Sequence, residues 1–486
     1  MPIRLFNTLG STKQEFLPID GHTVKLYTCG PTVYDKLHIG NWSAYIYWDV
    51  LVRSLIANDF KVDRVLNITD VGHLTSDADS GEDKLETGAK REGKTAWQIA
   101  EMYTVDFLQE MNYLGMIMPE HIAKATEYIP QQIDLVRRLK EKGYTYETSD
   151  GIYFDTSKFP KYSEFAGLHL ASQEEGARVA VNNEKRNPSD FALWKFTESG
   201  TNRDMQWSTP LDLASGDHER PGFPGWHLEC SAIALSLLGD TIDIHTGGID
   251  HIPIHHTNEI SQSEAATGKV FSHFWLHNNH MKVEGTKISK SLGNGYTLDD
   301  LRSKGFNAND IRTFILQGNY KNEGNFTFEN LTAAKNRVNK WRDVACLRHQ
   351  THNSAESEDE QLSRNDTVAL YEDAQAILEA LSDNLDTPRA LMLVDQSMNK
   401  IANSKLTDIH HHSLMHFLES IKELLGIDLI STTPDISDEA KRMIMQRRHA
   451  RANSDWNSSD KIRDDLSKIN IDVRDSNADI IWSYKN

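Results

Sequence analysis

Cysteine is scarce: the 486 residues include only Cys29, Cys230 and Cys346. An odd number of widely separated thiols excludes a disulfide framework and suits a reducing compartment. Long apolar runs are missing too. No stretch approaches the ~20 residues that span a bilayer, and the amino-terminal MPIRLFNTLG lacks the charged-then-apolar layout of a secretory signal. A cytoplasmic protein with no membrane segment is expected. Positive charge is in deficit, 52 Lys and Arg against 71 Asp and Glu, a formal net charge of -19. The field of the whole molecule repels a polyanion, so any affinity for nucleic acid has to come from a local basic patch. From Ala440 to Arg474 there is one, with nine Lys and Arg against five Asp and Glu.

The length suits several domains. Val24 to Tyr27 reads as a strand broken by Gly30-Pro31; Ser43 to Leu55 has helical spacing; Lys61 to Ile68, KVDRVLNI, reads as the next strand. This is the opening of an α/β fold with a doubly wound, Rossmann-like parallel sheet. Residues 95–145 are helical in pattern, and 150–222 are mixed and resemble an insertion. Strand and helix patterns resume at Trp226 to Leu238, Thr241 to His245 and Phe271 to His277. Beyond Ala308 the pattern is almost wholly helical. The expected division is a Rossmann-like domain over 1–120 and 223–307, an inserted connective region over 121–222, a helical bundle over 308–430 and a small terminal domain over 431–486.

Two short motifs carry chemistry. TCGPTVYDKLHIGN, Thr28 to Asn41, places His38 and Gly40 where a strand hands over to a helix. Such a helix start presents N–H groups and a positive dipole end to phosphate, and glycine permits close approach. KISKSLGN, Lys287 to Asn294, carries Lys287 and Lys290 in a loop, where both can reach one triphosphate. Each motif alone is weak, since a lysine pair in a loop is usually solvated surface. Together, HIGN and KISKS resemble the HIGH and KMSKS motifs of class I aminoacyl-tRNA synthetases. The resemblance implies attack of an amino-acid carboxylate on the α-phosphorus of ATP, with Mg2+ on the phosphates. His38, Asn41, Lys287 and Lys290 would be the catalytic groups, and Gly40, Gly248, Asp250 and Lys290 would bind ATP. The carboxylate is already ionised at neutral pH, so the demand is for positive charge and donors rather than a base. Asn41 replaces the family's histidine, keeping an amide donor and losing a titratable charge. Gly247 to Asp250, GGID, resembles the family's adenosine-binding turn; an ordinary turn after a strand is the other reading.

Cys29, Cys230 in GWHLECSA, and HIPIHHTNE from His251 to Glu259 supply candidate metal ligands. His255 and Glu259, four apart, share a helix face, and His256 with Glu259 would do nearly as well. Spacing does not choose between them, and isolated cysteines are commonly core thiols. YTCGPTVYD, PGWHLECSA and HHTNE, however, resemble the cysteinyl-tRNA synthetase subfamily. That resemblance implies one Zn2+ per chain held by Cys29, Cys230, His255 and Glu259, with Thr69, Trp226 and His227 lining the amino-acid pocket. A shape-based pocket separates cysteine from serine by only ~1–3 kcal/mol. A soft metal that prefers thiolate widens the difference.

Arg447 to Asp475 reads as a basic helix pair followed by a strand and resembles the subfamily's anticodon-binding domain. Carried over, Arg451, Trp456, Asp460, Arg463 and Asp475 are the candidate anticodon contacts; a solvated helix with a capping tryptophan is the alternative. Asn470 stands where glycine is frequent, and asparagine tolerates the left-handed conformation. The implied partners are L-cysteine, ATP and tRNA(Cys), and a monomer is expected. Two rivals share part of the pattern: a ligase joining cysteine to an amino sugar through the same adenylate, and a catalytically silent tRNA- or zinc-binding paralogue.

Overall fold

The structure is a computed structural model that describes residues 2–72, 83–166, 183–198, 200–201, 203–289, 292–351, 362, 364, 367–476 and 479–485. Its main sheet has five parallel strands in the spatial order Ser272–Asn278, Ile242–Gly248, Thr23–Thr28, Lys61–Ile68, His121–Lys124. The chain winds outward from Thr23–Thr28 on one side, then returns to build the other. This is the expected doubly wound order, and its reversal opens a crevice at the carboxyl ends of Thr23–Thr28 and Ile242–Gly248. Strand His121–Lys124, grouped with the insertion from sequence, belongs to this sheet, paired with Val65–Ile68. Four residues without clear alternation, lying between the helices Ala96–Tyr113 and Ile129–Glu141, gave no strand period to read.

The insertion proper is a second sheet, antiparallel, in the order Thr145–Thr148, Gly151–Phe154, Phe191–Phe196, Arg220–Pro224, Trp207–Thr209. Phe154, Phe191, Leu193 and Trp194 form its core together with Leu228 and Ala232 of helix Trp226–Leu237. The insertion thereby fixes the helix that carries Cys230.

Helix Ile39–Ala57 follows the central strand and is buried nearly all round, with Trp42, Ile46, Trp48, Val50 and Leu51 in the main core. One carboxylate on it, Asp49, joins three parts of the molecule. Its Oδ2 accepts from Arg53 Nε at 2.7 Å and from Arg312 Nη2 at 2.6 Å, with Arg312 on helix Ala308–Leu316. The guanidiniums also cap helix ends. Arg312 donates to Leu114 O and Leu425 O, while Arg53 donates to Gly115 O, Lys422 O and Glu423 O. The orphan carbonyls ending helices Ala96–Tyr113 and His411–Leu425 are satisfied in this way.

Helices Phe328–Ala345, Tyr371–Ser382, Thr387–Ala402 and His411–Leu425 pack as the expected bundle. The chain ends in helices Asp438–Ala452 and Trp456–Lys468 and an antiparallel hairpin, Ile471–Ser476 with Asp479–Tyr484. Asn470, at φ 61°, makes the left-handed step between helix and hairpin. No helix among the described residues is long and apolar enough to cross a membrane.

Asp49 is fully buried; burial opposes its charge, but Arg312 and Arg53 outweigh that and hold its carboxyl below the ordinary range. Asp49→Ala, leaving two guanidiniums buried without a counter-charge, should cost about 3–5 kcal/mol in a urea unfolding transition. The folded-state pKa lies below the unfolded one. The wild-type contribution is therefore complete above the unfolded value of about 3.9 and lost as pH falls through the folded value.

Candidate active site and metal centre

Cys29 follows the central strand directly, and its amide donates to Thr246 O at 3.1 Å in the neighbouring strand. Cys230 sits on the first turns of helix Trp226–Leu237. His255 lies in a π-helical turn, Ile252–His256, that leads into helix Thr257–Thr267, where Glu259 occupies the first turn. π-Helical turns are rare and concentrate at functional sites. The structure brings all four together: one ligand atom from each of Cys29, Cys230, His255 and Glu259 lies within 4.8 Å of every other, and all four residues are buried. Around Zn2+, with bonds of ~2.0–2.3 Å, tetrahedral neighbours stand ~3.3–3.8 Å apart. The set matches that size after small side-chain shifts.

The donor chemistry fits a cation. Glu259 Oε2 lies 2.9 Å from His245 Nε2, whereas Oε1 is buried with no hydrogen-bond partner, 3.0 Å from His255 Nε2. A buried carboxylate oxygen whose close neighbour is another candidate ligand is free to turn to a cation between them. Burial opposes its charge, yet His245 and His255 bring the Glu259 carboxyl down to about 2. Of the two thiols, Cys230 ionises first, at about 7, helped by a hydrogen bond from Cys29 and then by His255; burial pushes Cys29 well up. His255 Nδ1 is 2.9 Å from His227 Nδ1, the outer support that fixes a ligand imidazole.

A second set, Cys29, His245, His256 and Glu259, overlaps the first. In it His256 Nε2 is 3.4 Å from Cys29 Sγ and Nδ1 is 2.7 Å from His277 Nε2, just as both nitrogens of His255 have neighbours in the first set. His245 is engaged through Glu259 Oε2. The set with Cys230 and His255 offers two thiols to the other's one, and thiolate is the softer donor. Gly247 makes room for these rings, since a Cβ there would stand 2.6 Å from His256 Cε1 and 2.8 Å from His251 Nδ1.

Further along the chain from Cys29, His38 caps helix Ile39–Ala57. Its Nδ1 accepts from Asn41 N at 3.3 Å, and Asn41 Oδ1 accepts in return from His38 N at 3.1 Å. Asn41 is thus a capping-box residue that orients His38. The second motif lies against the first. Ile39 N donates to Tyr296 O at 2.8 Å, and a Cβ on Gly40 would stand 2.8 Å from Ile288 Cδ1. Asn294 clamps that loop by accepting from Ser289 N and donating to Lys287 O. Lys287 is exposed at the loop's start; Lys290 lies outside the described residues. Gly248 ends strand Ile242–Gly248 and Asp250 is exposed on the turn Ile249–His251, at the carboxyl edge of the sheet.

The model of the class I (C) tRNA synthetase catalytic domain matches residues 15–336, and that of the cysteinyl-tRNA ligase anticodon binding domain matches residues 433–482. The chain is 38% identical to the cysteine–tRNA ligase of Treponema denticola over 503 residues, covering 99% of each chain. It belongs to the cysteine–tRNA ligase family. The cysteine–tRNA ligase of Chlorobaculum tepidum is likewise 38% identical, with 99% of each chain covered. Among solved structures, the Mycobacterium tuberculosis methionyl-tRNA synthetase in complex with methionyl-adenylate shares the fold. The TM-score is 0.56 at 13% identity, over 83% of this chain and 92% of that one. The anticodon-domain match does not favour the amino-sugar ligase, and full-length kinship with named ligases does not favour the silent paralogue.

The remaining candidate residues of this family member fall in two places. Trp226 is half-buried, its ring 4.8 Å from that of His255, and His227 is buried beneath. Thr69 is buried at the end of the neighbouring strand, bonded to Asn67 Nδ2 through its hydroxyl and to Val33 N through its carbonyl. In the terminal domain Trp456 is 55% exposed, with the Arg451 guanidinium 5.2 Å from its ring centroid. Asp475 is paired with buried Arg447 through both oxygens and with Arg451 at 3.2 Å, and Arg463 lies 3.6 Å from Asp460. Sequence reading weighed His256 as an alternative to His255 but missed His245 and His277, which lie within strands Ile242–Gly248 and Ser272–Asn278; only the clustering of histidine in this region hinted at them.

Asn41→Ala removes one half of the capping box. It should cost about 0.5–2 kcal/mol of helix-end stability and raise KM for ATP several-fold in pyrophosphate exchange, with KM for cysteine unchanged.

Proposed function

We propose that the chain activates L-cysteine with ATP and transfers it to tRNA(Cys), with Cys29, Cys230, His255 and Glu259 as the ligands of one Zn2+. The convergence of four buried donors from distant segments, all within 4.8 Å of one another, carries the reading. When bound, the ion supplies a soft Lewis acid that prefers sulfur to oxygen. The protein's own residues do the rest. His245 and His227 hold Glu259 and His255 in orientation. Trp226, half-buried with its ring 4.8 Å from that of His255, would line the pocket and limit water, which raises the cost of seating a hydroxyl where a thiol fits.

Adenylation needs no proton abstraction from the carboxylate. His38, held by Asn41, and the first N–H groups of helix Ile39–Ala57 would meet the phosphates. Lys287 and Lys290 would add positive charge, and Mg2+ would accompany ATP. Gly248 and Asp250 would accept the adenosine, glycine by allowing approach and the carboxylate by accepting from ribose hydroxyls. The terminal domain would read the anticodon through exposed Trp456, with Arg451, Asp460 and Arg463 nearby. Asp475 would act by fixing Arg451. The sheet of 145–224 would serve as the connective insertion.

Purified protein should carry about one zinc per chain by elemental analysis and catalyse cysteine-dependent exchange of pyrophosphate into ATP. Cys230→Ser should weaken zinc binding by more than about 10²-fold, beyond the loss typical of an outer-shell change. Zinc-loaded protein with no exchange would refute the assignment. Trp456→Ala should raise KM for tRNA about fivefold or more in charging assays, the equivalent of a stacking contact of ~1–3 kcal/mol. Exchange without tRNA should stay at the wild-type rate.

A further inference from the structure

Both strands of a two-stranded hairpin are edges, and their outward N–H and C=O groups need partners from elsewhere. In the terminal hairpin, Ile471–Ser476 with Asp479–Tyr484, one residue finds both partners in a single side chain. Gln350 Oε1 accepts from Trp482 N at 3.0 Å, and Gln350 Nε2 donates to Trp482 O at 3.0 Å. A carboxamide carries an acceptor and a donor side by side, so Gln350 pairs with the strand as a peptide group of a third strand would. Both residues are buried. Nε2 also donates to Cys346 O at 3.2 Å, which ties the amide to the turn Cys346–His349 that ends the bundle helix Phe328–Ala345.

The same turn supplies the contacts around that amide. His349 stacks on Trp482 with ring centroids 5.8 Å apart and planes 13° from parallel, and its Nε2 lies 3.0 Å from Thr433 O. Arg348 donates to Ile430 O at 2.9 Å and to the Thr433 hydroxyl at 2.7 Å, gripping the chain as it leaves the bundle. Cys346 is buried in the core of the terminal domain, with Ile436, Ala440, Leu466 and Trp482. One turn of the bundle thus holds the inner side of that domain, while Trp456 stays exposed. Apolar packing is non-directional. It is the paired hydrogen bonds of Gln350 that set the hairpin's register against the bundle, as a strand pairing does.

A joint of this kind matters for a ligand with two ends that must be met at once. The acceptor end of a tRNA has to reach the adenylate while its anticodon meets the terminal domain. The second contact is intramolecular, and its effective concentration is greatest when the spacing of the two protein sites matches the span of the ligand. A domain free to drift about its joint loses that match without losing a single contact to RNA.

We propose that Gln350 is a positioning residue for tRNA charging: by pairing with both backbone groups of Trp482 it fixes the terminal, anticodon-binding domain relative to the catalytic domain. It acts through the hairpin and touches neither RNA, cysteine nor ATP.

The inference rests on the proposed meeting of the terminal domain with the anticodon, and the test separates the two. Gln350→Met keeps the length of the side chain and removes both hydrogen bonds to Trp482. It is compared with wild type in pyrophosphate exchange without tRNA, charging of an acceptor-stem minihelix, binding of an isolated anticodon stem-loop, and charging of whole tRNA(Cys). Only the last engages both ends together. Gln350→Met should match wild type in the first three, and kcat/KM for whole tRNA should fall about tenfold or more through a rise in KM. Near-normal charging of whole tRNA would overturn the proposal. So would an equal fall with the minihelix, or loss of stem-loop binding, which would make Gln350 necessary for folding the domain rather than for placing it. Wild-type protein that binds no stem-loop would overturn the parent reading along with it.

Discussion

The site depends on the parallel pairing of two strands far apart in the chain, Thr23–Thr28 and Ile242–Gly248. Their register sets Tyr27 beside His245 and Thr28 beside Thr246, and the amide of Cys29 extends it by one more hydrogen bond. Because side chains alternate along a strand, a slip of one residue would turn His245 to the opposite face and release Glu259. Cys29 would move with it. The metal set, the imidazoles behind it and the start of the nucleotide helix all inherit their positions from this one pairing. The antiparallel insertion adds a second restraint by packing helix Trp226–Leu237, and with it Cys230, against the same crevice.

Much of this was legible in the amino-acid sequence because the residues concerned lie in compact runs. The strand and helix before and after Cys29, the return of strand patterns after Trp226, and the helical bundle all follow from apolar periodicity. Strand His121–Lys124 did not, being too short to show a period. The four residues of the candidate metal set were singled out by the subfamily words around them, whereas spacing left His255 and His256 equivalent. Their surroundings differ only in tertiary structure: His256 meets Cys29 and His277, and His277 in turn Thr8, whereas His255 meets His227 and Glu259. A network spread over 8, 29, 256 and 277 has no linear signature. The same holds for Asp49, which reads as an ordinary polar residue of a helix until Arg312 arrives from the bundle.

Electrostatics are divided along the chain. The acidic excess of the whole molecule would hinder association with a polyanion, and the terminal helices run against it. There the charges are organised rather than merely abundant. Asp475 holds Arg447 and Arg451, and the Arg451 guanidinium lies over Trp456. An exposed ring backed by a fixed cation offers a base a preorganised face, so fewer side-chain rotamers are lost on contact.

The closeness of Gly40 to Ile288 has a consequence for how this site can vary. The first helix turn and the distant loop meet there with no spare volume, because a single methyl at position 40 would stand inside the contact distance of Ile288 Cδ1. The two positions are coupled by size: enlarging one requires shrinking or displacing the other. Divergence at either motif is therefore constrained by a steric bargain struck across the sequence, independent of any chemistry the residues perform.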